Sequence, residues 1–377
     1  MLLKSCANLR VKLSHFKDMK ELHIIGLMSG TSLDGLDIAA CTFTFGSRWE
    51  FNIKHSKTVG YSKRLKLALQ HLDCSSALEY AKTDHELGRF FGTEVNKFVS
   101  ATNYQADYIS SHGHTIFHQP EINFTTQIGH PSAISALTGL PVIADFRTID
   151  VHLNGQGAPL VPIGDLLLFP EYTYCLNLGG IANISIKNND GEIHAFDTGI
   201  ANMALNFVTL KEGKAYDSGG KIAETGSIKK ELLEKLNRIE YHQLPSPKSI
   251  GKEWFDRKIK PLVEQALKIH SSPDVLATLC EHIAIQVAAQ IAGSGKLLAT
   301  GGGAKNNYLM QRMKEHCNAE IILPSEALVD YKEALIFAFL GALRVTNQTN
   351  ILEAVTGSKS NHSGGCIYRP FMGENNS

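Results

Sequence analysis

The chain carries no surplus charge: 37 Lys and Arg balance 37 Asp and Glu over 377 residues. Binding to nucleic acid or another polyanion draws on a basic excess that releases counterions, so the balance argues against that class. No apolar run reaches the roughly 20 residues that span a bilayer. The seven cysteines (Cys6, Cys41, Cys74, Cys175, Cys280, Cys317 and Cys366) are odd in number and show no Cys-x-x-Cys spacing. That pattern fits reduced thiols in a cytoplasmic protein and not a disulfide framework. Two phosphate-binding fingerprints are missing as well. The P-loop requires Gly-x4-Gly-Lys-Ser/Thr, but the Gly-Lys at Gly295-Lys296 has the wrong spacing and is followed by Leu297. The dinucleotide fingerprint opens a helix, whereas the first glycine-rich turn here leads into a second strand.

What is present is an alternation of strand-like and helical patterns. Strands are expected at 22–26, 36–45, 108–111, 141–145, 174–178, 181–187, 296–300 and 320–323. Apolar residues at three- and four-residue steps predict helices at 62–72, 74–101, 229–236, 273–292 and 306–316. The pattern predicts an α/β protein with mixed sheets, and its length exceeds one usual core. The apolar stretches 157–169 and 331–344 read as core helices that could also link two lobes. Residues 1–22 read as a basic leader, with Met19 as an alternative start, and the tail after Asn347 as loop.

Three glycine-rich turns follow predicted strands. The first, within Gly26-Leu-Met-Ser-Gly-Thr-Ser-Leu-Asp-Gly-Leu-Asp37, presents Gly30, Thr31, Ser32 and Gly35. Small and hydroxylic residues let backbone N–H groups approach a polyphosphate, and Asp34 and Asp37 could meet its magnesium. The second contains Gly179 and Gly180 between Asn177 and Asn183. The third, Gly301-Gly302-Gly303, ends a strand and precedes a helix, where a flat adenine or ribose could lie against backbone.

Asp197, between a strand-like piece and a helix, is the candidate base; the alternative is an N-capping aspartate. Arg147, bracketed by Asp145 and Asp150, could clamp a sugar carboxylate or serve a structural ion pair. The histidine-rich stretch Ser111–Pro120 invites a metal reading through His112, His114 and His118, with His130 nearby. With no acidic residue inside it, a polar loop lining a sugar pocket fits better, and Gln127 and His130 would extend that wall.

Taken in order, Gly26–Asp37, Ser111–Thr115, Gln127–Pro131, Ala144–Asp150, Gly155–Pro162, Leu176–Asn183, Phe196–Asn202, Pro247–Glu253 and Thr300–Asn306 resemble the anhydro-N-acetylmuramic acid kinase family. The resemblance implies a two-lobed actin-like/sugar-kinase (ribonuclease H-like) α/β fold with a central nucleotide cleft. Its lobes would be 23–165 plus 340–377 and 166–339. It implies a kinase that opens a 1,6-anhydro amino sugar with water and phosphorylates O6, using ATP and Mg2+, in recycling of bacterial cell wall. By motif, Gly30, Thr31, Ser32, Leu33, Asp34, Gly35, Leu36 and Asp37 would hold ATP phosphates, with Asp34 toward magnesium. Gly179, Gly180, Gly301, Gly302 and Gly303 would complete the nucleotide site. Asp197 would activate water, and His112, Gln127, Arg147, Gln156 and Asn202 would contact the sugar. The expected partners are these small molecules, without nucleic acid or membrane, in a homodimer. Ile200-Ala201 departs from the Pro-Gly common in the family after the base. The competing readings are a kinase for another anhydro or amino sugar, an actin-like nucleotide-binding module without catalysis, and a metal hydrolase built on the histidines.

Overall fold

The computed structural model describes residues 21–30, 33–188, 190–246 and 248–370. The leader, Thr31, Ser32 and Pro247 therefore lie outside the described residues. The chain divides into two compact units, Met1–Leu168 with Glu333–Ser377, and Phe169–Lys332.

In the first unit, β1 (Leu22–Ser29), β2 (Leu36–Phe45) and β3 (Trp49–Val59) form an antiparallel meander. β4 (Tyr108–Gln119) and β6 (Val142–Ala144) run parallel to β1, and β5 (Phe124–Ile128) pairs back on β4. The late strand Cys366–Tyr368 closes the other edge against β6, which corrects the expectation of a loop-only tail. β1 is buried on both faces, as its unbroken apolar run requires. On one face, Ile25, Leu27, Ile38 and Ala40 pack with Leu87, Phe91 and Val95 of the helix Ala77–Thr102. Ser76 caps that helix by accepting from the Glu79 N–H, and the Ser-x-x-Glu spacing is a start signal. On the other face, Phe43 meets Phe339 of the helix Glu326–Val345 with ring centroids 5.4 Å apart. Gly26 faces the same helix, where any Cβ would collide with the Ala334 carbonyl.

The meander's third strand has no counterpart among the predicted strands. Its solvent side carries Glu50, Lys54, His55 and Lys57, and charge on an edge strand hides the apolar signal while blunting the edge. β4 also runs well beyond its predicted end. The histidine stretch is thus strand and not loop.

In the second unit the strand order is β11-β10-β7-β8-β9: β7 (Tyr174–Leu178), β8 (Ile181–Lys187), β9 (Ile193–Ile200), β10 (Lys296–Thr300) and β11 (Glu320–Ile322). β7, β10 and β11 are parallel, and β8 is antiparallel to both β7 and β9. β9 therefore points the same way as β7 and β10. The core joins Leu176, Leu178 and Leu297 to Leu276, Leu279 and Ile283 of the helix Ser272–Ala288. No helix among the described residues is long and apolar enough to cross a membrane.

Candidate functional site

Ligands of α/β sheets gather where parallel strands end, and each unit has one such edge. In the first unit, β1 ends at Ser29, directly beside His114 of β4. The Ser29 hydroxyl lies 2.8 Å from His114 Nδ1 and 2.5 Å from the Tyr61 hydroxyl. Burial lowers the His114 pKa to about 4, so the ring is neutral at physiological pH. The chain then turns: the Leu33 N–H donates to the Gly30 carbonyl at 3.2 Å. Leu33 adopts a left-handed backbone (φ 58°) with its side chain buried in the core. Asp34 is exposed at the turn, while Asp37 accepts a 2.6 Å hydrogen bond from Thr58.

His112 and Arg147 meet at the same edge. Arg147 Nε donates to His112 Nε2 at 3.0 Å, and Nη1 donates to the Gly157 carbonyl at 2.5 Å. His112 Nδ1 must then carry the proton that reaches the Gly113 carbonyl, 2.9 Å away. Burial, then the neighbouring guanidinium, hold the His112 pKa well below its usual value. Burial also brings Arg147 down to about 10, against the pull of Glu333 and Asp150. Asp145 accepts from the Thr148 N–H at 3.4 Å, and Asp150 accepts from the Gly157 N–H at 2.6 Å and from Thr356 at 2.7 Å. Asp150 thereby ties down the loop that exposes Gln156. Gln127, on β5, donates to Thr125 at 2.9 Å.

In the second unit, three main-chain bonds stitch the end of β9 to the glycine turn after β7. Ala201 N–H and Met203 N–H donate to the Gly180 carbonyl (2.9 and 3.1 Å), and Asn202 N–H donates to that of Gly179 (3.1 Å). The Asn202 side chain donates to the Leu178 carbonyl at 2.9 Å, which places it with the glycine turns. Gly301 has φ 82°, and a Cβ there would collide with Asn177; a Cβ at Gly303 would meet Leu178 Cβ at 2.7 Å. Gly180 and Gly302 differ. A Cβ would come no nearer than 3.7 Å to Met203 at the first, or 3.8 Å to Asn202 at the second. Protein packing does not demand glycine there, since a Cβ would meet only ordinary van der Waals contact.

Asp197 lies within β9, beside a bulge opposite Ala182–Asn183. It caps nothing: the helix Asn202–Lys211 has Ala201 at its cap position. Tyr241, Lys248 and Ile250 bond to it instead. Tyr241 donates its hydroxyl to the Asp197 carbonyl at 2.8 Å, the Asp197 N–H donates to the Lys248 carbonyl at 3.1 Å, and the Ile250 N–H donates to the carboxylate at 3.0 Å. Burial raises the Asp197 pKa to about 6, opposed by the Ile250 bond. A carboxylate tuned toward neutral pH is suited to general-base work.

The metal reading meets a different arrangement. Among the described residues, the side chains that converge like metal ligands are Asp84, His85 and His130. The two imidazoles stack at 4.1 Å with 15° between planes. A metal sits in the plane of each imidazole that binds it, and nearly parallel stacked rings share no such point. The Asp84 carboxylate also accepts from the Gly129 N–H at 2.8 Å. The trio is a packing contact between the helix Ala77–Thr102 and the turn at His130.

Sequence reasoning missed Tyr61 and Tyr241, which buttress the two edges. Neither sits in a glycine-marked motif, and only pairing in space reveals them.

A family model described as anhydro-N-acetylmuramic acid kinase matches residues 22–370. Curated proteins of that name are similar along nearly their whole length. One from Vibrio cholerae is 36% identical, covering 93% of this chain and 99% of its own. One from Aliivibrio fischeri is 37% identical, covering 91% and 98%. Among solved structures, the activator of the 2-hydroxyisocaproyl-CoA dehydratase from Clostridium difficile with bound ADPNP has a TM-score of 0.43 and 13% identity, covering 86% of this chain and 97% of that one.

Proposed function

The chain belongs to the anhydro-N-acetylmuramic acid kinase family, and on that premise we propose how its own residues carry out the reaction. It is an ATP-using phosphotransferase of cell-wall recycling. The substrate we assign is 1,6-anhydro-N-acetylmuramic acid, and the products are N-acetylmuramic acid 6-phosphate and ADP.

Asp197 takes a proton from water as the oxygen bonds to the anomeric carbon. The bond from that carbon to the bridging oxygen breaks, and O6, freed by ring opening, accepts the γ-phosphoryl group while ADP leaves. One base suffices because the departing oxygen is itself the phosphoryl acceptor. The backbone at Gly179–Gly180 and Gly301–Gly303 fits the nucleotide, and Asn202 serves that cradle by fixing the Leu178 carbonyl. The turn Gly30–Asp37 is assigned to the phosphates. Asp34 is the carboxylate available to magnesium, which supplies charge neutralisation when bound. His112 and Arg147, neutral ring against cation, form a rigid polar pair assigned to the sugar together with Gln127 and Gln156.

The observation that carries this reading is the carboxylate of Asp197, on the strand stitched to a glycine turn, raised toward neutrality and held at 3.0 Å by the Ile250 N–H. The test is turnover in heavy-oxygen water with ATP, magnesium and the anhydro sugar. Label at C1 of a phosphorylated sugar, with none in inorganic phosphate, is expected. Label in phosphate instead would reduce the activity to ATP hydrolysis and overturn the assignment.

A further inference from the structure

The loop Gly155–Gly157 turns its one side chain outward and its backbone inward. Gln156 is exposed, while the glycines on either side of it are buried. A Cβ at Gly155 would collide with the Asp150 carboxylate, and one at Gly157, where φ is 68°, would stand 2.8 Å from a Val151 methyl. All three amides are engaged. The Gly155 N–H donates to the Asp150 carbonyl at 2.8 Å, the Gln156 N–H to the Thr356 carbonyl at 2.7 Å, and the Gly157 N–H to the Asp150 carboxylate at 2.6 Å.

Thr356, about 200 residues further on, acts on this loop twice. Its carbonyl takes the Gln156 N–H, and its hydroxyl faces the carboxylate that takes the Gly157 N–H. Asp150 is fully buried, with Oδ2 toward Gly157 and Oδ1 2.7 Å from the Thr356 hydroxyl. That hydroxyl has one proton and lies farther, at 3.3 Å, from the Leu352 carbonyl. A charged acceptor makes the stronger bond, so the proton points to Asp150. His362 Nε2 stands 3.5 Å from the same oxygen but makes no hydrogen bond among the described residues. Thr356 is itself buried, and nearby the Lys359 N–H donates to the Leu153 carbonyl at 3.1 Å, which keeps the tail against the loop.

Gln156, Arg147 and His112 are assigned to the sugar above, and one chain of bonds holds all three. Gln156 stands on the loop, Arg147 donates to its Gly157 carbonyl, and Arg147 Nε reaches His112. None of these bonds involves a glycine turn assigned to the nucleotide. We propose that Thr356 is a positioning residue for sugar binding, aiming Gln156 through its carbonyl on the Gln156 N–H and through its hydroxyl on the carboxylate that holds Gly157. A side chain presented from a backbone already fixed loses less freedom when it binds. The proposal rests on the assignment of Gln156 to the sugar, and Gln156→Ala tests that assignment by itself.

The test is a double-substitution cycle on the full chain, read by steady-state kinetics with the anhydro sugar and ATP. Thr356→Val removes the hydroxyl and keeps the carbonyl. It should raise KM for the sugar about tenfold, the worth of one well-placed hydrogen bond, with kcat and KM for ATP held within about twofold. Thr356→Ser should restore the sugar KM. Gln156→Ala should raise the sugar KM on its own, and adding Thr356→Val to it should cost less than about twofold more. Full additivity of the two substitutions, an unchanged sugar KM in Thr356→Val, or an equal loss toward ATP would each overturn the proposal and leave the assigned reaction standing. An unchanged sugar KM in Gln156→Ala would overturn the assignment of Gln156 and the proposal with it. Amide exchange on the unaltered protein covers the case in which Thr356→Val does not fold: the Gln156 and Gly157 amides should be protected before any sugar is added, and fast exchange there would overturn the proposal.

Discussion

The two strand-turn-strand elements look alike in sequence, yet they are held by different parts of the chain. The turn of the first unit closes with one main-chain bond, from the Leu33 N–H to the Gly30 carbonyl, and is flanked by side-chain bonds: Tyr61 and His114 converge on Ser29, and Thr58 holds Asp37. The turn of the second is fixed by main chain, with the N–H groups of Ala201, Asn202 and Met203 reaching the carbonyls of Gly179 and Gly180. A side-chain clamp can be dismantled one residue at a time. A main-chain clamp yields only to changes in backbone geometry. This difference also separates the charged groups: Asp34 on the first turn is exposed, whereas Asp197, beside the second, is part-buried in its strand.

The comparison breaks most decisively at Asp197. Asp197→Asn should lower turnover by two to four orders of magnitude, the usual worth of a positioned base, with nucleotide binding kept; steady-state rates and ADP titration check this. Its pKa near 6 sets the sign of the pH profile. The base must be deprotonated, so kcat/KM should fall about tenfold per unit as pH drops below 6, and stay level above it. The same raised value means that the folded chain binds this proton more tightly than the unfolded chain. The stabilising effect is full below the unfolded carboxyl's range and is lost as pH rises through about 6. Asp197→Asn should accordingly melt no lower than the unaltered protein at pH 8.

A backbone change should come next. Gly301→Ala meets both a left-handed φ and a collision with Asn177, and should cost about 2–3 kcal/mol in denaturant unfolding. Gly302→Ala, with room for a Cβ, should leave stability within roughly 0.5 kcal/mol while weakening nucleotide binding. Equal behaviour of these two variants would remove the distinction between structural and ligand-facing glycines. Smallest is the first turn's clamp: Ser29→Ala leaves Tyr61 and His114 without their shared partner and should cost about 1–2 kcal/mol, read by the same unfolding curves.

Much of this was legible beforehand. The glycine turns, β2, β7, β8, β10 and the capped helices carry local signals, because chain reversal and helix starts are decided by the residues that make them. β3 and the late strand Cys366–Tyr368 were not legible, since their pairing partners, not their own patterns, make them strands. The sequence offers Asp197 as a candidate base at a strand's end; the bulge beside it inside β9 depends on register with β8. His112 and Arg147 were singled out separately, and their mutual bond spans 35 residues of sequence.

By itself, then, the sequence determined the α/β class, the family and the order of the glycine turns. Each of these is written in composition or in residues close along the chain. Tertiary structure alone decided that Arg147 reaches His112 and that Tyr241, Lys248 and Ile250 bond to Asp197. Hydrogen-bond partners and burial are set by groups far apart in sequence, and no local pattern records which of them a long polar side chain will reach.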